Sequence, residues 1–290
     1  MHSSGAFPEI CIIQNVIPLK KILLYLICAA SCILIACSHS ERPLVRSSMR
    51  QYFDPYRVNG FLAIEDPARE SILVSDSSVY TMAFTPASTF KICNSLIALE
   101  TGVIQDENSV LAWDSVPRQN QEWNKDQSLK EAFQHSTVWY YQELARRIGE
   151  TRMKQWIDTL HYGNANISGG IDQFWLSGGL RITPQQQIRF LKNLHDEKLP
   201  FSKRSMDIVK KMMICRDSNS IVYRGKTGWG SQDKMDIGWF VGYAESPDRV
   251  VYFANLVRMA DTSDNVELFD RARREVTFKA VDDYFLGTLK

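Results

Sequence analysis

Residues 85–102, TPASTFKICNSLIALETG, predict a turn that leads into a strongly apolar helix. Pro86 lies in the turn, apolar residues then recur at helical spacing, and Gly102 marks the expected end. Because residues i and i+3 share one face of a helix, Ser88 and Lys91 are expected side by side at its start. The unpaired backbone N–H groups of a first helical turn would also favour an oxyanion beside the serine.

A serine and a lysine in this arrangement indicate nucleophilic catalysis. An alcohol is a poor nucleophile near pH 7 and needs a neighbouring base, and a lysine can be that base only where burial keeps it from being an ammonium. The pattern Ser-x-x-Lys is weak by itself, since about one match is expected in a chain of this length. Ser231 and Lys234 form a second match, but they lie among polar residues with no predicted helix.

The order of predicted elements around this helix indicates the fold class. Strands are predicted before it, helices after it, and strands and one last helix near the C-terminus. This order predicts an α+β fold, an α/β/α sandwich in which both chain ends build one antiparallel sheet and a helical lobe is inserted. The predicted strands are Val58–Glu65, Ser71–Ser75, Ile237–Ala244 and Val250–Val257, and the predicted helical stretches are Ser128–Gly149, Thr151–Leu160, Pro184–Leu194 and Asn265–Leu286.

Two further motifs carry groups that suit a hydrolytic site. Lys226-Thr227-Gly228, at the start of the last β section, offers a cation, a hydroxyl and a residue that lets a ligand approach the backbone. The alternative is an edge strand that ends in a turn. Ser136-Thr137-Val138, between helical stretches, offers a second hydroxyl with an apolar neighbour. The alternative there is that Ser136 caps a helix.

Composition excludes several other classes of function. The chain has 290 residues, 34 Lys and Arg against 33 Asp and Glu, and 44% hydrophobic residues. It is long enough for a large core, and without a basic stripe a nucleic-acid partner is not expected. The five His show no HxH or HExxH spacing and the cysteines form no CxxC pair, so no metal site is predicted.

The N-terminal segment predicts export. Lys20 and Lys21 precede an apolar run of about 15 residues, which is short for a membrane-spanning helix and suits a signal peptide. The run ends at Leu34-Ile35-Ala36-Cys37, which resembles a bacterial lipobox, so Cys37 is the expected lipidation site. The alternatives are an ordinary cleaved signal or an uncleaved anchor helix. Residues 1–36 are interpreted as the signal peptide, with an over-extended start as the alternative for 1–19. Residues 37–54 are interpreted as the lipidated cysteine and a tether, and 55–290 as the catalytic domain.

The cysteine count of the mature fold follows from this division. Of the six cysteines, three would leave with the signal and Cys37 would be lipidated, so only Cys93 and Cys215 would remain in the folded part. Cys93 lies in an apolar helical pattern and is expected to be a buried thiol. Whether it pairs with Cys215 does not follow from the sequence.

Together the motifs resemble the penicillin-recognising serine enzymes. Ser-x-x-Lys, Ser-x-Val and Lys-Thr-Gly follow one another in that family's order, and Ser136-Thr137-Val138 in the middle is similar to class D, the oxacillinase-type β-lactamases. Further class D marks agree over about residues 55–285. These marks are Tyr162-Gly163-Asn164, Phe174-Trp175-Leu176 with Gly178-Gly179-Leu180, and Gly238-Trp239-Phe240-Val241-Gly242.

The resemblance implies a mechanism for hydrolysis of the β-lactam amide, a cyclic amide. It implies that Ser88 attacks the lactam carbonyl and that Lys91 carries a carbamate from CO₂ or bicarbonate, which acts as general base. Ser136 would relay a proton to the lactam nitrogen. Trp175 would donate its indole N–H to the carbamate, or anchor its own loop, and both roles can hold together.

The remaining implied roles concern substrate binding. The backbone N–H groups of Ser88 and Trp229 would form the oxyanion hole, with Val138 and Phe90 as apolar walls. Lys226, Thr227 and an arginine would hold the substrate carboxylate, with Gly228 beside them. That arginine is expected to be Arg273, with Arg271 as the alternative, and either can be surface charge. Tyr162 and Asn164 are expected to shape the site wall.

Two other functions share the motifs. A β-lactam sensor domain of a signalling receptor would stay acylated, and a peptidoglycan transpeptidase or carboxypeptidase would act on cell-wall peptides. For the hydrolase, the expected partners are β-lactam antibiotics and a bacterial membrane, which it contacts only through the lipid anchor. The expected location is the periplasm, with the anchor in the outer membrane and the leaflet left open. Homodimerisation and the preference among oxacillins, cephalosporins and carbapenems stay open.

Overall fold

A seven-stranded sheet forms the centre of the fold. The structure, a computed structural model, describes residues 43–218, 220–260 and 265–289. The strands of this sheet are β1 Leu44–Val45, β2 Asn59–Asp66, β3 Ser71–Val74, β6 Ile214–Ser218, β7 Ile221–Gln232, β8 Met235–Glu245 and β9 Val250–Ala260. In spatial order they are β1, β3, β2, β9, β8, β7 and β6, and only the β1–β3 pair is parallel. Two short strands, β4 Val110–Leu111 and β5 Gln127–Ser128, pair separately.

The α-helices fall into two groups around this sheet. The last one, α8 (Val266–Phe285), contacts β8 and β9, and the other seven described helices belong to the segment between β3 and β6. The helices are α1 Ser77–Tyr80, α2 Lys91–Glu100, α3 Leu129–Gln134, α4 Val138–Ile148, α5 Glu150–Thr159, α6 Pro184–His195, α7 Lys203–Met212 and α8 Val266–Phe285. Short 3-10 segments cover Ser47–Tyr56, Pro67–Arg69, Ala87–Phe90 and Gln121–Trp123.

The pairing of β2 with β9 joins the two ends of the chain. Ala63 faces Ala254 in this antiparallel register, and both are fully buried. Because β2 and β9 are nearly 200 positions apart, their pairing places the whole helical segment between two adjacent strands of one sheet. The predicted α+β architecture, with an antiparallel sheet from both chain ends and an inserted helical lobe, is confirmed.

The sheet has a hydrophobic core on each face, which explains the near-continuous apolar sequence of β8 and β9. One core includes Phe90 and Leu96 and extends through the helical lobe. The other lies between the sheet, α8 and the 3-10 segment Ser47–Tyr56, and it includes Phe53 and Val276. The site described below lies where the first core meets β7.

Two helices differ from the predictions. The helical stretch predicted from Ser128 to Gly149 is divided, because Ser136 adopts a left-handed φ of +57° that an α-helix cannot contain. The division leaves α3 and α4 with a sharp turn between them. Helix α7 was not predicted, although Ser202 caps its N-terminus by accepting a hydrogen bond from the Ser205 N–H.

The predicted tether, residues 37–54, is wrong for its second half. Leu44 and Val45 pair with β3, and the segment Ser47–Tyr56 packs against the sheet and α8. Met49 is fully buried and Phe53 is 3% exposed, and such burial stabilises an anchored segment. The folded part therefore begins about ten residues earlier than position 55. The predicted signal peptide and Cys37 lie outside the described residues, and lipidation stays a prediction.

None of the helices within residues 43–218, 220–260 and 265–289 combines the length and the apolar character that are needed to cross a bilayer.

The packing of the first 3-10 segment predicts a stability effect. Phe53→Ala should lower the free energy of unfolding by about 3 kcal/mol, because it removes a buried ring and leaves a cavity. Urea unfolding followed by tryptophan fluorescence measures this change. Gln51→Ala, an exposed position in the same segment, is the control and should change stability by less than about 0.5 kcal/mol. Equal stabilities for the two variants would show that the segment is a tether.

Candidate active site

Ser88 lies in a constrained 3-10 turn that leads into α2. Ala87 precedes it with a left-handed φ of +48°, and the Ala87 N–H donates to the Trp175 carbonyl at 3.0 Å. Thr89 Oγ1 donates to the Pro86 carbonyl at 2.8 Å. Non-glycine residues in this backbone region are uncommon and concentrate at functional sites, where the surroundings enforce them. The turn is thus held from two sides with Ser88 at its edge, 8% exposed.

Lys91 is fully buried beside Ser88. Its Nζ donates to Ser88 Oγ at 2.8 Å and lies 5.1 Å from the centre of the Tyr141 ring. No carboxylate within the described ranges lies within 4 Å of this amine. Burial lowers the pKa of Lys91 to about 7, because an apolar environment disfavours the ammonium. A substantial fraction of the amine is therefore neutral near pH 7.

Ser136 and Lys226 meet across the cleft. The left-handed turn between α3 and α4 presents Ser136, whose Oγ accepts a hydrogen bond from Lys226 Nζ at 3.0 Å. The same amine donates to the Thr227 carbonyl at 3.0 Å. Burial, and then the positive charges of Lys91, Arg273 and Arg274, hold the pKa of Lys226 well below its usual value. These two motifs, 90 positions apart in the sequence, thus form one hydrogen-bonded unit.

Gly228 lets β7 lie directly against the Ser88 turn. A Cβ at this position would be 3.0 Å from the Pro86 carbonyl oxygen and 3.1 Å from Thr89 Cγ2. Any side chain would therefore push the strand and the turn apart. The Lys-Thr-Gly motif therefore needs a glycine for the packing of the protein's own backbone, and not only for the approach of a ligand.

Arg273 lies at the cleft and Arg271 does not. Arg273 Nη1 donates to the Gly228 carbonyl at 3.1 Å, and its guanidinium lies 5.0 Å from the Trp229 ring centre. It also forms an ion pair with Asp270. Burial, with a contribution from Arg274, lowers the pKa of Arg273 to about 10, so it stays cationic at neutral pH. Arg271 is exposed and is paired with Glu275 at 2.9 Å.

Trp175 is fully buried and its ring lies 5.4 Å from that of Phe90. Its indole Nε1–H has no hydrogen-bond acceptor in the described part of the chain. A buried donor without an acceptor costs about 1–3 kcal/mol, so an additional acceptor at this place would be stabilising. Trp229, by contrast, is 37% exposed and donates its indole N–H to Asp236 at 3.1 Å.

The remaining predicted wall residues take different positions. Tyr162 is buried with its ring 5.5 Å from that of Phe90. Asn164 stabilises its own loop, since its side-chain amide donates a hydrogen bond to the Gly179 carbonyl at 2.9 Å. Val138 is the first residue of α4 and is half-buried.

Comparison with known proteins assigns the family. Residues 48–279 match the penicillin-binding protein transpeptidase domain. β-Lactamase OXA-48 of Klebsiella pneumoniae is 40% identical over 229 residues, 79% of this chain and 86% of that protein. The class D β-lactamase YbXI from Nostoc is 41% identical with a TM-score of 0.78, over 83% of this chain and 99% of that one. The chain belongs to the class D β-lactamases.

A regulatory protein is also among the relatives of this class D β-lactamase. BlaR1 of Bacillus licheniformis is 35% identical over 204 residues, which are 70% of this chain and 34% of that protein. The catalytic fold is thus shared between hydrolases and a regulator, and the family fold alone does not separate the two functions.

The cysteines and acidic residues of this class D β-lactamase offer no alternative centre within the described residues. Cys93 and Cys215 are both free, and burial raises the pKa of Cys93 well above its usual value. Across residues 43–218, 220–260 and 265–289, no group of three or more His, Cys, Asp or Glu side chains is placed to hold a metal ion.

The sequence analysis missed two residues at this site. Tyr141, whose ring covers the Lys91 amine, lies three positions after Val138, and helical spacing could have placed both on one face of α4. Arg274 was not considered because only its neighbour Arg273 matched the expected spacing. Its charge nevertheless acts on both Lys226 and Arg273.

The burial of Lys91 predicts a pH-dependent stability. The unfolded chain keeps the ordinary lysine pKa and binds a proton at pH 7–10, whereas the folded chain loses it above about 7. Folding therefore desolvates a charge below pH 7, and this cost falls as the pH rises. Lys91→Met should be more stable than the parent by about 4 kcal/mol below pH 7, and the difference should shrink toward pH 9.5.

Urea unfolding in CO₂-free buffer between pH 6 and 9.5 measures this difference. Lys154→Met, which removes an exposed ammonium paired with Asp158, is the matched control and should show little dependence on pH. A difference between Lys91→Met and the parent that stays constant across this range would mean that Lys91 keeps an ordinary pKa.

Proposed function

We propose that the protein opens β-lactam rings through an acyl-enzyme on Ser88, with Lys91 as the base for both halves of the reaction. The observation that carries this proposal is the 2.8 Å contact between Ser88 Oγ and a fully buried Lys91 amine. A nucleophilic serine needs a base within hydrogen-bond reach, and no histidine is placed there in the described structure.

The environment of Lys91 supports its reaction with CO₂. Only a neutral amine attacks CO₂, and burial lowers the pKa of this one to about 7. Carboxylated in this way, Lys91 supplies anionic oxygens that accept a proton from Ser88 and later from water. The buried and unpaired Nε1–H of Trp175 supports this modification, because it offers a donor for such an oxygen near Phe90.

The first half-reaction follows from the order of these groups. As Ser88 Oγ bonds to the lactam carbonyl carbon, its proton passes to the base at Lys91. The C–N bond of the ring then breaks, and the proton held by the base at Lys91 passes through the Ser136 hydroxyl to the lactam nitrogen, which leaves the base unprotonated again. Lys226 donates to Ser136 Oγ at 3.0 Å, which leaves the Ser136 hydroxyl hydrogen free for this transfer. The product of this step is an ester on Ser88.

The second half-reaction regenerates the serine. The base at Lys91 takes a proton from water, the hydroxide oxygen bonds to the ester carbon, and Ser88 leaves and regains its proton. Backbone N–H groups of Ser88 and Trp229 would stabilise the oxyanion in both steps. Lys226, Thr227 and Arg273 would bind the substrate carboxylate, since two cations and a hydroxyl lie at one end of the cleft.

Lys91→Ala and a bicarbonate titration test this proposal together. The parent should turn over nitrocefin many times, whereas Lys91→Ala should lose at least about 1,000-fold in rate because both proton transfers lose their base. Mass spectrometry should detect any remaining product as an ester on Ser88. Parent protein that is acidified, freed of CO₂ and returned to pH 7 should regain activity as bicarbonate is added.

Matched variants make the result specific. Lys192→Ala, which removes a half-buried lysine paired with Glu65 on another part of the fold, should keep parental turnover. Hydrolysis by Lys91→Ala at the parental rate would refute the role of Lys91. A single stoichiometric burst by the parent protein would instead indicate a sensor, the function suggested by the similarity to BlaR1.

Trp175→Phe tests the positioning role of the indole N–H. Phenylalanine keeps an aromatic ring against Phe90 but removes the donor, so half-maximal activity should need about tenfold more bicarbonate. At saturating bicarbonate, activity should return to within a few-fold of the parent, which a purely structural role would not produce. Trp156→Phe, a tryptophan stacked on Phe201, is the control and should leave the bicarbonate requirement unchanged.

A further inference from the structure

A cavity adjoins the carboxylate end of the cleft. It has a volume of about 230 Å³ and extends from the Lys226–Thr227 part of β7 toward the end of α3 and the middle of α8. Its lining includes Phe133, Met212, Cys215, Lys226, Thr227 and Arg274. A water molecule takes up about 30 Å³, so the space admits a group such as a sulfonate or carboxylate with some of its hydration.

The cavity is positively charged and has no acid of its own. Lys226 and Arg274 both line it, and none of the described residues in its lining is Asp or Glu. The nearby acids are already engaged, because Asp270 pairs with Arg273 and Glu275 pairs with Arg271 and accepts from Tyr56. Arg274 is exposed and has no carboxylate within 4 Å among residues 43–218, 220–260 and 265–289.

The electrostatics agree with this geometry. Arg274 contributes to the lowered pKa of both Lys226 and Arg273, so these cations repel one another across a short distance. One substrate carboxylate would compensate part of this charge at Lys226 and Arg273. The guanidinium of Arg274 would remain available for a second anion, and such a group prefers oxyanions that it can bind with two hydrogen bonds.

The chemistry of β-lactams shows which part of a substrate reaches this place. In a cephalosporin the carboxylate is attached to the ring carbon next to C3, whereas the acylamino side chain is on the opposite side of the bicycle. A carboxylate held by Lys226, Thr227 and Arg273 therefore directs the C3 substituent to the neighbourhood of those residues. Arg274 follows Arg273 on α8 and lines the cavity beside Lys226 and Thr227.

We propose that Arg274 and this cavity form a subsite for an anionic group on the C3 substituent of cephalosporins. The subsite makes Arg274 a specificity-determining residue, outside the set that carries out the chemistry. The inference rests on the proposed function, because it uses the carboxylate position assigned there.

Two cephalosporins with the same acylamino side chain provide the test. Cefamandole carries an N-methyl tetrazole on its C3 substituent, and cefonicid carries an N-sulfomethyl tetrazole at the same place. Each is used as a competitor of nitrocefin hydrolysis, so its inhibition constant is measured even if it is turned over slowly. The parent should bind cefonicid about fivefold more tightly than cefamandole, as expected for a partly exposed charge pair.

Arg274→Gln should reduce this preference to about one, because it keeps a polar side chain with N–H donors but removes the charge. Arg274→Lys should keep part of the preference. Arg271→Gln removes one charge from the same helix at a position already paired with Glu275, and it should keep the parental ratio.

The possible failures are distinguishable. Absence of nitrocefin turnover by the parent would overturn the proposed function and this inference with it. Normal turnover with equal inhibition constants for the two cephalosporins, or with a ratio that Arg274→Gln leaves unchanged, would overturn the subsite alone. A ratio that falls equally in Arg271→Gln and Arg274→Gln would show a general effect of charge and would also overturn it.

Discussion

The contact between the buried Lys91 amine and Ser88 Oγ is the constraint on which the rest of the site depends. An isolated ammonium in an apolar interior is costly, and proteins usually pair it with a carboxylate or neutralise it. Here the described structure supplies a hydroxyl and an aromatic ring, Ser88 and Tyr141, but no acid. The cost of burying the Lys91 ammonium is therefore avoided by loss of its proton, which turns an ordinarily inert cation into a base. A carboxylate partner in the same position would stabilise the fold better and hold the lysine in its unreactive form.

Much of the fold serves to keep this arrangement dry and fixed. The helical lobe covers Lys91, and the pairing of β2 with β9 joins the two chain ends on either side of that lobe. On the open side, β7 lies against the Ser88 turn because Gly228 has no side chain. The left-handed residues Ala87 and Ser136 occur at the two turns that border the cleft. At these two turns the surrounding structure enforces an uncommon backbone conformation, which fixes the angle at which the neighbouring side chains are presented.

The parts that could be predicted from the sequence are those that depend on local periodicity. The proximity of Ser88 and Lys91 follows from their spacing, and the strands at both chain ends follow from apolar runs with a turn between them. The break at Ser136 did not follow, since the residues around it keep a helical pattern and only tertiary contacts fix its φ. The packing of Met49 and Phe53 was missed for a similar reason, because a polar-looking segment needs only two buried side chains on one face to join a core. The choice between Arg273 and Arg271 depended on which way α8 presents each side chain. Two positions along a helix differ by about 200° in direction, so an error of two residues moves the side chain to the other face.

The two buried lysines of the cleft show how environment separates groups of the same chemistry. Lys91 is surrounded by apolar and aromatic side chains, so its burial is relieved by losing a proton. Lys226 lies at the cleft beside two arginines, where an anion can relieve the same cost by binding. The first environment favours a neutral amine that reacts, and the second favours a charged substrate that supplies the missing carboxylate. The two lysines therefore share one property, burial that lowers the pKa, and differ in the charges that lie beside them.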